Sequence, residues 1–280
     1  MKRLFLILVS MVFIPASPVL YAGPADNPKS VTELTPAQKL QQWTLAPSYS
    51  YSFFDGGRQS WQEQDTQLYY QLNRQWSLGL EIDYKDRPPV GSDVSYGTFA
   101  SYSPTNKLEV HAKFMGCFDP SVAANEAYST GGQYQLIPEL ALLLDSRGWN
   151  YHGQLINQAQ PAVLIGIADD LSLKLTYAHG WAFSNSQYNF YCAQLDYELP
   201  EGRRLTFAFD YGTDPDYEIG STGFTTLSLT PAYTGTIFFR QPLYKDLNLY
   251  AGFQYDYRLN QSGQKLYQQY TPTLGLAWKF

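Results

Sequence analysis

Residues 246–258 read DLNLYAGFQYDYR. Leu247, Leu249, Ala251, Phe253, Tyr255 and Tyr257 alternate with Asn248, Tyr250, Gly252, Gln254, Asp256 and Arg258. A period of two is a β-strand signature, because successive side chains leave opposite faces of the backbone. One face of this strand is apolar. The other carries an acid, a base and amides.

The same pattern recurs on both sides of it. In WSLGLEIDYK, Trp76, Leu78, Leu80, Ile82 and Tyr84 oppose Ser77, Gly79, Glu81, Asp83 and Lys85. In RRLTFAFDYG, Leu205, Phe207, Phe209 and Tyr211 oppose Arg204, Thr206, Ala208 and Asp210. About fourteen such segments follow one another, starting near residues 43, 61, 76, 91, 107, 127, 139, 154, 171, 187, 203, 224, 246 and 266. Each approaches the ~9–11 residues that a tilted strand needs to cross a bilayer. Tight connections such as Pro104-Thr105-Asn106, Asp169-Asp170 and Pro200-Glu201-Gly202 alternate with longer ones such as KDRPPVGS, CFDPSVAAN, SRGWNYHG and TDPDYEIGST. Short turns at one end and longer loops at the other mark an all-β, antiparallel, up-and-down transmembrane barrel of the bacterial outer membrane. An even strand count puts both termini at the short-turn end, the periplasmic side.

The choice between lipid outside and lipid inside rests on the polar faces. They carry Glu81, Asp83, Lys85, Glu109, His111, Lys113, Lys174, Asp196, Glu198, Arg204, Asp210, Asp256 and Arg258. Burying so many charges in a dry core would require each to be paired and desolvated. Lining a water-bearing lumen, they stay hydrated or pair across strands. A closed barrel is also the sheet that leaves no unpaired edge in lipid. The soluble alternative is an exported sandwich or sugar-binding β protein. Pro161, Pro231 and Pro272 each remove a ladder donor, and the long segment at residues 224–242 predicts a bulge near Pro231 or an extension above the membrane. Trp43, Trp76 and Trp278 fall at short-turn ends, and Trp61, Trp149 and Trp181 at loop ends. This is the two-girdle pattern of rings at membrane interfaces.

The chain starts MKRLFLILVSMVFIPASPVLYAGPADNP. A basic pair, an apolar run too short to span a bilayer and small Ala22 read as a secretory signal peptide over residues 1–22; Pro15 and Pro18 count against an anchor helix. A polar, flexible periplasmic leader over 23–42 follows, with one helical turn at Thr35-Pro36. The barrel takes 43–280. No other stretch approaches 20 apolar residues. The net charge of -6 gives no basic stripe for nucleic acid. The 24 tyrosines suit a lipid boundary. Export makes a Cys117–Cys192 disulfide chemically possible, on strands placed far apart.

The closing strand TLGLAWKF puts Leu274, Leu276, Trp278 and Phe280 on one face. It resembles the C-terminal assembly signal of outer-membrane barrels, which implies reading by the barrel-insertion machinery. A narrower resemblance covers the C-terminal half. Tyr211 and Gly212 before Asp214-Pro215, Pro242-Leu243 before Leu247-Asn248-Leu249, and the closing Trp-Lys-Phe resemble the YaiO family of outer-membrane barrels. The likeness weakens over residues 131–189. That family has no settled activity, and some relatives sit beside polysaccharide-related genes.

Chemistry is sparse. His111 lies on a polar face. His179 precedes Ser184 and Ser186, and His152 has Asp145 and Asn150 nearby in sequence. A histidine that activates a serine could make a rim enzyme, an acyl hydrolase of lipid or lipopolysaccharide, but no GxSxG elbow supports it. Asp214, Asp216 and Glu218 alternate on one loop but lack the spacing of a calcium loop. The FDGGRQ stretch precedes a strand and so is not a phosphate loop. No catalytic residue, metal or cofactor is expected. The expected function is a passive or accessory channel for polar molecules or envelope polysaccharide, in contact with outer-membrane lipid and lipopolysaccharide. The alternatives are the rim enzyme and a structural barrel without a pore.

Overall fold

The computed structural model describes residues 42–280 except 57, 122, 183–185, 220–224 and 261, and for residues 214–219 and 225–229 it describes the backbone. The expected signal peptide, the expected leader with its predicted helical turn at Thr35-Pro36, and Ser184 lie outside the described residues.

The strands are β1 (Gln42–Phe54), β2 (Trp61–Gln71), β3 (Trp76–Arg87), β4 (Gly91–Tyr102), β5 (Leu108–Cys117), β6 (Glu126–Ile137), β7 (Leu140–Tyr151), β8 (Gln154–Gly166), β9 (Leu171–Trp181), β10 (Gln187–Glu198), β11 (Arg204–Ile219), β12 (Thr225–Tyr244), β13 (Leu247–Leu259) and β14 (Lys265–Lys279). Each pairs antiparallel with its sequence neighbours, and β14 returns to β1 to close the 14-stranded barrel. At this junction the Trp43 and Phe280 backbones exchange hydrogen bonds of 3.2 and 3.1 Å.

The period-two pattern fixes the radial direction of every side chain. Leu78, Leu80, Ile82, Tyr96, Phe114, Leu144, Phe209, Leu274, Leu276 and Trp278 point outward and are exposed. Gln67, Glu81, Asp83, Lys85, Arg147, Gln194, Asp196, Arg204, Asp210, Asp256 and Arg258 point inward and are buried. The exposed face is therefore the apolar one, the inverse of a soluble barrel and the arrangement lipid requires. Across β5–β11 the outer wall is dented by an apolar cavity of about 1290 Å³ whose lining includes Val110, Gly132, Leu144, Pro161 and Tyr191.

Several connections differ from the sequence expectation. SRGWNYHG contributes a turn of only His152 and Gly153, both at positive φ (50° and 86°), because the alternation carries β7 on to Tyr151. That is the backbone of a two-residue hairpin whose twist matches its strands. No bulge forms at Pro231: it pairs with Thr213 in a ladder continuous from Arg204 to Ile219. The excess length of β11 and β12 instead projects beyond the other strands at the loop end. The register shift in β12 lies between Pro242 and Tyr244. Cys117 and Cys192 are free thiols, on β5 and β10.

Candidate functional site

The inner wall is where the polar chemistry converges. Every lumen-lining residue expected above stands on an inward face: Glu81, Asp83 and Lys85 on β3; Glu109, His111 and Lys113 on β5; Lys174 on β9; Asp196 and Glu198 on β10; Arg204 and Asp210 on β11; Asp256 and Arg258 on β13. What differs is the packing. These groups are not a hydrated fringe around a wide bore; most are buried against one another.

Ion pairs organise them. Near mid-height, Lys113 Nζ lies 2.6 and 2.7 Å from the Glu81 carboxylate oxygens. Towards the loop end Lys85 pairs with Asp83 and Arg87 with Glu63, each at 2.7 Å. On the adjoining wall His111 Nε2 is 3.0 Å from Asp145. Towards the turn end Asp196 accepts from Arg204 Nε at 3.2 Å, Thr206 Oγ1 at 2.5 Å and Gln194 Nε2 at 2.7 Å. Arg204 and Arg240 both reach Glu198, at 3.5 and 3.6 Å. Lys85 and Asp83 are two residues apart on β3, and every other pair joins neighbouring or next-neighbouring strands, so tilt and register bring those partners together. Charges this deep persist when paired and hydrogen-bonded. The partners Glu63, Arg87 and Arg240 were not singled out in the sequence, and Asp145 was singled out only for its nearness to His152, although each alternates in phase with an inward-facing neighbour.

Aromatic belts narrow the lumen at both ends. At the turn end Tyr69, Phe99 and Tyr250 cluster with Ala46 and Ala277, and Phe238 packs against them. The Phe99 ring takes the space that a side chain at Gly79 would fill, and Phe238 does the same at Gly252. Large rings lie over small neighbours, which makes a smooth apolar collar. At the loop end Phe54, Trp61 and Tyr267 pack edge to face, with Arg87 4.7 Å over Trp61 and Arg58 4.0 Å over Tyr267. On the opposite wall Trp149, Tyr151, Ile156 and Tyr188 cluster.

The two-girdle assignment needs correction. Trp43, Trp76, Trp181 and Trp278 face outward at the barrel ends and are 42%, 40%, 43% and 52% exposed. Trp61 is 6% exposed and turns inward onto Arg87, in phase with Glu63 and Asp65. Trp149 faces inward in phase with Asp145 and Arg147. A guanidinium over an indole face is favourable away from water, and lipid offers no such partner.

The loop between β5 and β6 folds into the mouth. Asp93, inward on β4, accepts the Ser121 N–H at 2.8 Å and the Ala123 N–H at 2.6 Å, and Ala123 is buried. Hydrogen bonds to a charged group contribute about 1.5–3 kcal/mol each, so Asp93 is the latch of this loop. Asp93→Ala is expected to free it and to speed proteolytic cleavage within this loop while the barrel stays folded; an unchanged cleavage rate would show that the loop is held without this carboxylate.

Among the described residues the histidines form no complete hydrolase site. His179 points outward near the loop end of β9; its Nδ1 is 2.8 Å from Asn189 Oδ1, which also accepts from the Tyr177 hydroxyl at 2.7 Å, and its ring meets Trp181 edge-on. This is a base with an orienting amide. Ser186 is held in the β9–β10 connection through its backbone carbonyl, which accepts from Ala182 N–H. His152 is a turn residue whose N–H donates to Asn125, while Asp145 lies down the strand, bound to His111. Asp214, Asp216 and Glu218 lie outside the described side chains. Among the described residues no cluster of acidic, histidine or cysteine side chains forms a metal site.

No family model matches the chain, and no curated protein matches it. Solved structures do. A CymD monoaromatic hydrocarbon channel is 11% identical, with 97% of both chains covered and a TM-score of 0.60. A bacterial polysaccharide outer membrane secretin is 11% identical over 85% of this chain and 98% of its own, at 0.61. A Pseudomonas aeruginosa FadL homologue is 9% identical over 97% and 96%, at 0.57. At such identities the likeness shows the fold: a closed 14-stranded barrel of the outer-membrane type.

Proposed function

We propose that this barrel is a narrow outer-membrane channel for small polar solutes. The observation that carries the reading is the inner face: charged and amide side chains run from one end of a closed, lipid-facing wall to the other. A purely structural barrel gains nothing from so many buried charges, since apolar packing of equal volume would be as stable or more so. A lumen ladder of both signs instead gives a solute successive partners in place of its hydration shell. The aromatic collars restrict the width, which counts against threading an envelope polysaccharide, the function suggested by neighbours of the YaiO family that the C-terminal half resembles.

In this reading the turn end faces the periplasm. Trp43, Trp76, Trp181 and Trp278 sit at the interfaces with lipid and lipopolysaccharide. Leu274, Leu276, Trp278 and Phe280 are the strand read by the insertion machinery. The test is single-channel recording of purified protein in planar bilayers, with and without the leader. Small ohmic steps are expected, well below those of a wide porin. A flat trace at all voltages, with insertion verified, would leave the structural-barrel reading.

A further inference from the structure

Beneath the latched β5–β6 loop lies a small chamber of about 70 Å³, walled by Lys85, Arg87, Lys113 and Arg147 and roofed by Ala123 and Ala124. We propose that it is a binding site for an oxyanion, the carboxylate or phosphate group of a small hydrophilic solute. The inference deepens the channel reading above: it names the class of solute recognised at the mouth.

The charge geometry is the first argument. The ionised side chains of the lining are all cationic. The carboxylates that pair with them, Asp83, Glu63 and Glu81, stand outside the lining. They hold Lys85, Arg87 and Lys113 in place. Asp93 lies close by, but its oxygens accept the roof amides of Ser121 and Ala123. Cations gathered in a buried space repel one another more strongly than in water, and an anion among them relieves that repulsion. Guanidinium forks match the planar carboxylate and the phosphate group in two-bond contacts.

Size is the second. A water molecule takes about 30 Å³ of liquid, so the chamber holds roughly the volume of one carboxylate or phosphate head and not a whole sugar. The rest of the solute would lie beside it, where Trp149 and Tyr151 line the same chamber. Rings beside cations suit an anionic solute with a flat apolar face, such as an acidic sugar. The inner-facing hydroxyls of Ser95 and Ser129 add neutral donors. Arg87, Trp149 and Tyr151 stand towards the loop end, where a solute from outside arrives first.

The experiment is calorimetric titration of the folded barrel in detergent at low salt with galacturonate, inorganic phosphate and neutral galactose. An anion should bind while galactose does not; galacturonate alone would identify a carboxylate, phosphate alone a phosphoryl group. Lys113→Gln made together with Glu81→Gln removes one cation without stranding its partner, and Arg147→Gln removes another. Combined, they should weaken anion binding by roughly tenfold or more. Anions binding no better than galactose, or binding unchanged in a variant that still folds, would overturn the site. The channel reading fails separately: a barrel that binds anions but passes no current keeps this site and loses its transport role.

Discussion

Asp196→Ala should be the most damaging single change in the barrel wall. Asp196 is 2% exposed and holds Arg204, Thr206 and Gln194 at once. Removing the carboxylate strands the Arg204 guanidinium, itself 3% exposed, with Glu198 as its more distant acid. Breaking a buried pair by deleting one partner costs about 3–5 kcal/mol, because an uncompensated charge remains in a poorly solvated space. The measurement is the urea midpoint of the barrel refolded in lipid vesicles. Asp196→Asn keeps the shape and one acceptor oxygen, so it should fall between wild type and alanine. A midpoint for Asp196→Ala within error of wild type would mean that water reaches Arg204 freely and that the lumen is far wetter than its packing indicates.

Leu80→Arg addresses the opposite face. Leu80 points outward near the middle of β3 and is 57% exposed. Arginine on the lipid side of a barrel costs about 2–4 kcal/mol at the midplane and little near the interfaces. The same arginine at Ser92, outward at the loop end of β4, is the control and should be nearly silent. A depth-dependent difference between the two unfolding midpoints is the expected result. Equal midpoints would remove hydrocarbon from around Leu80 and with it the transmembrane orientation.

Much of this architecture was legible in the sequence, for a local reason. Side-chain direction in a strand depends on parity alone, so DLNLYAGFQYDYR reveals both faces without its neighbours. That is why the strand starts, the closed sheet and the inner-face charges emerged together. The tryptophans went wrong where height along the strand outweighed parity. Trp61 alternates with Gln62 and Gln64, polar residues that face outward on β2 and blur the contrast between faces. Trp149 is in phase with Asp145 and Arg147, a signal that was present but not weighed. The filling of the lumen could not be read at all. Lys113 and Glu81 are separated by 32 residues, and Arg240 meets the Gly202 carbonyl across 38. Only register and strand tilt decide such meetings, and neither is written in a single strand. The anion chamber depends further on a loop turning inward onto Asp93, which the loop composition does not announce.

The junction between Trp43 and Phe280 bears on how the wall is made. The first strand and the last are partners, so the cylinder cannot be sealed until nearly the whole chain has been delivered. Every unfinished intermediate therefore carries two raw margins of unsatisfied backbone, which invite pairing with any strand nearby and which hydrocarbon does not tolerate. Sealing must also overcome the entropy of joining chain segments more than 200 positions apart, the slowest kind of contact to form. Completion is thus a single late event, and a chain caught before it is a hazard to its membrane.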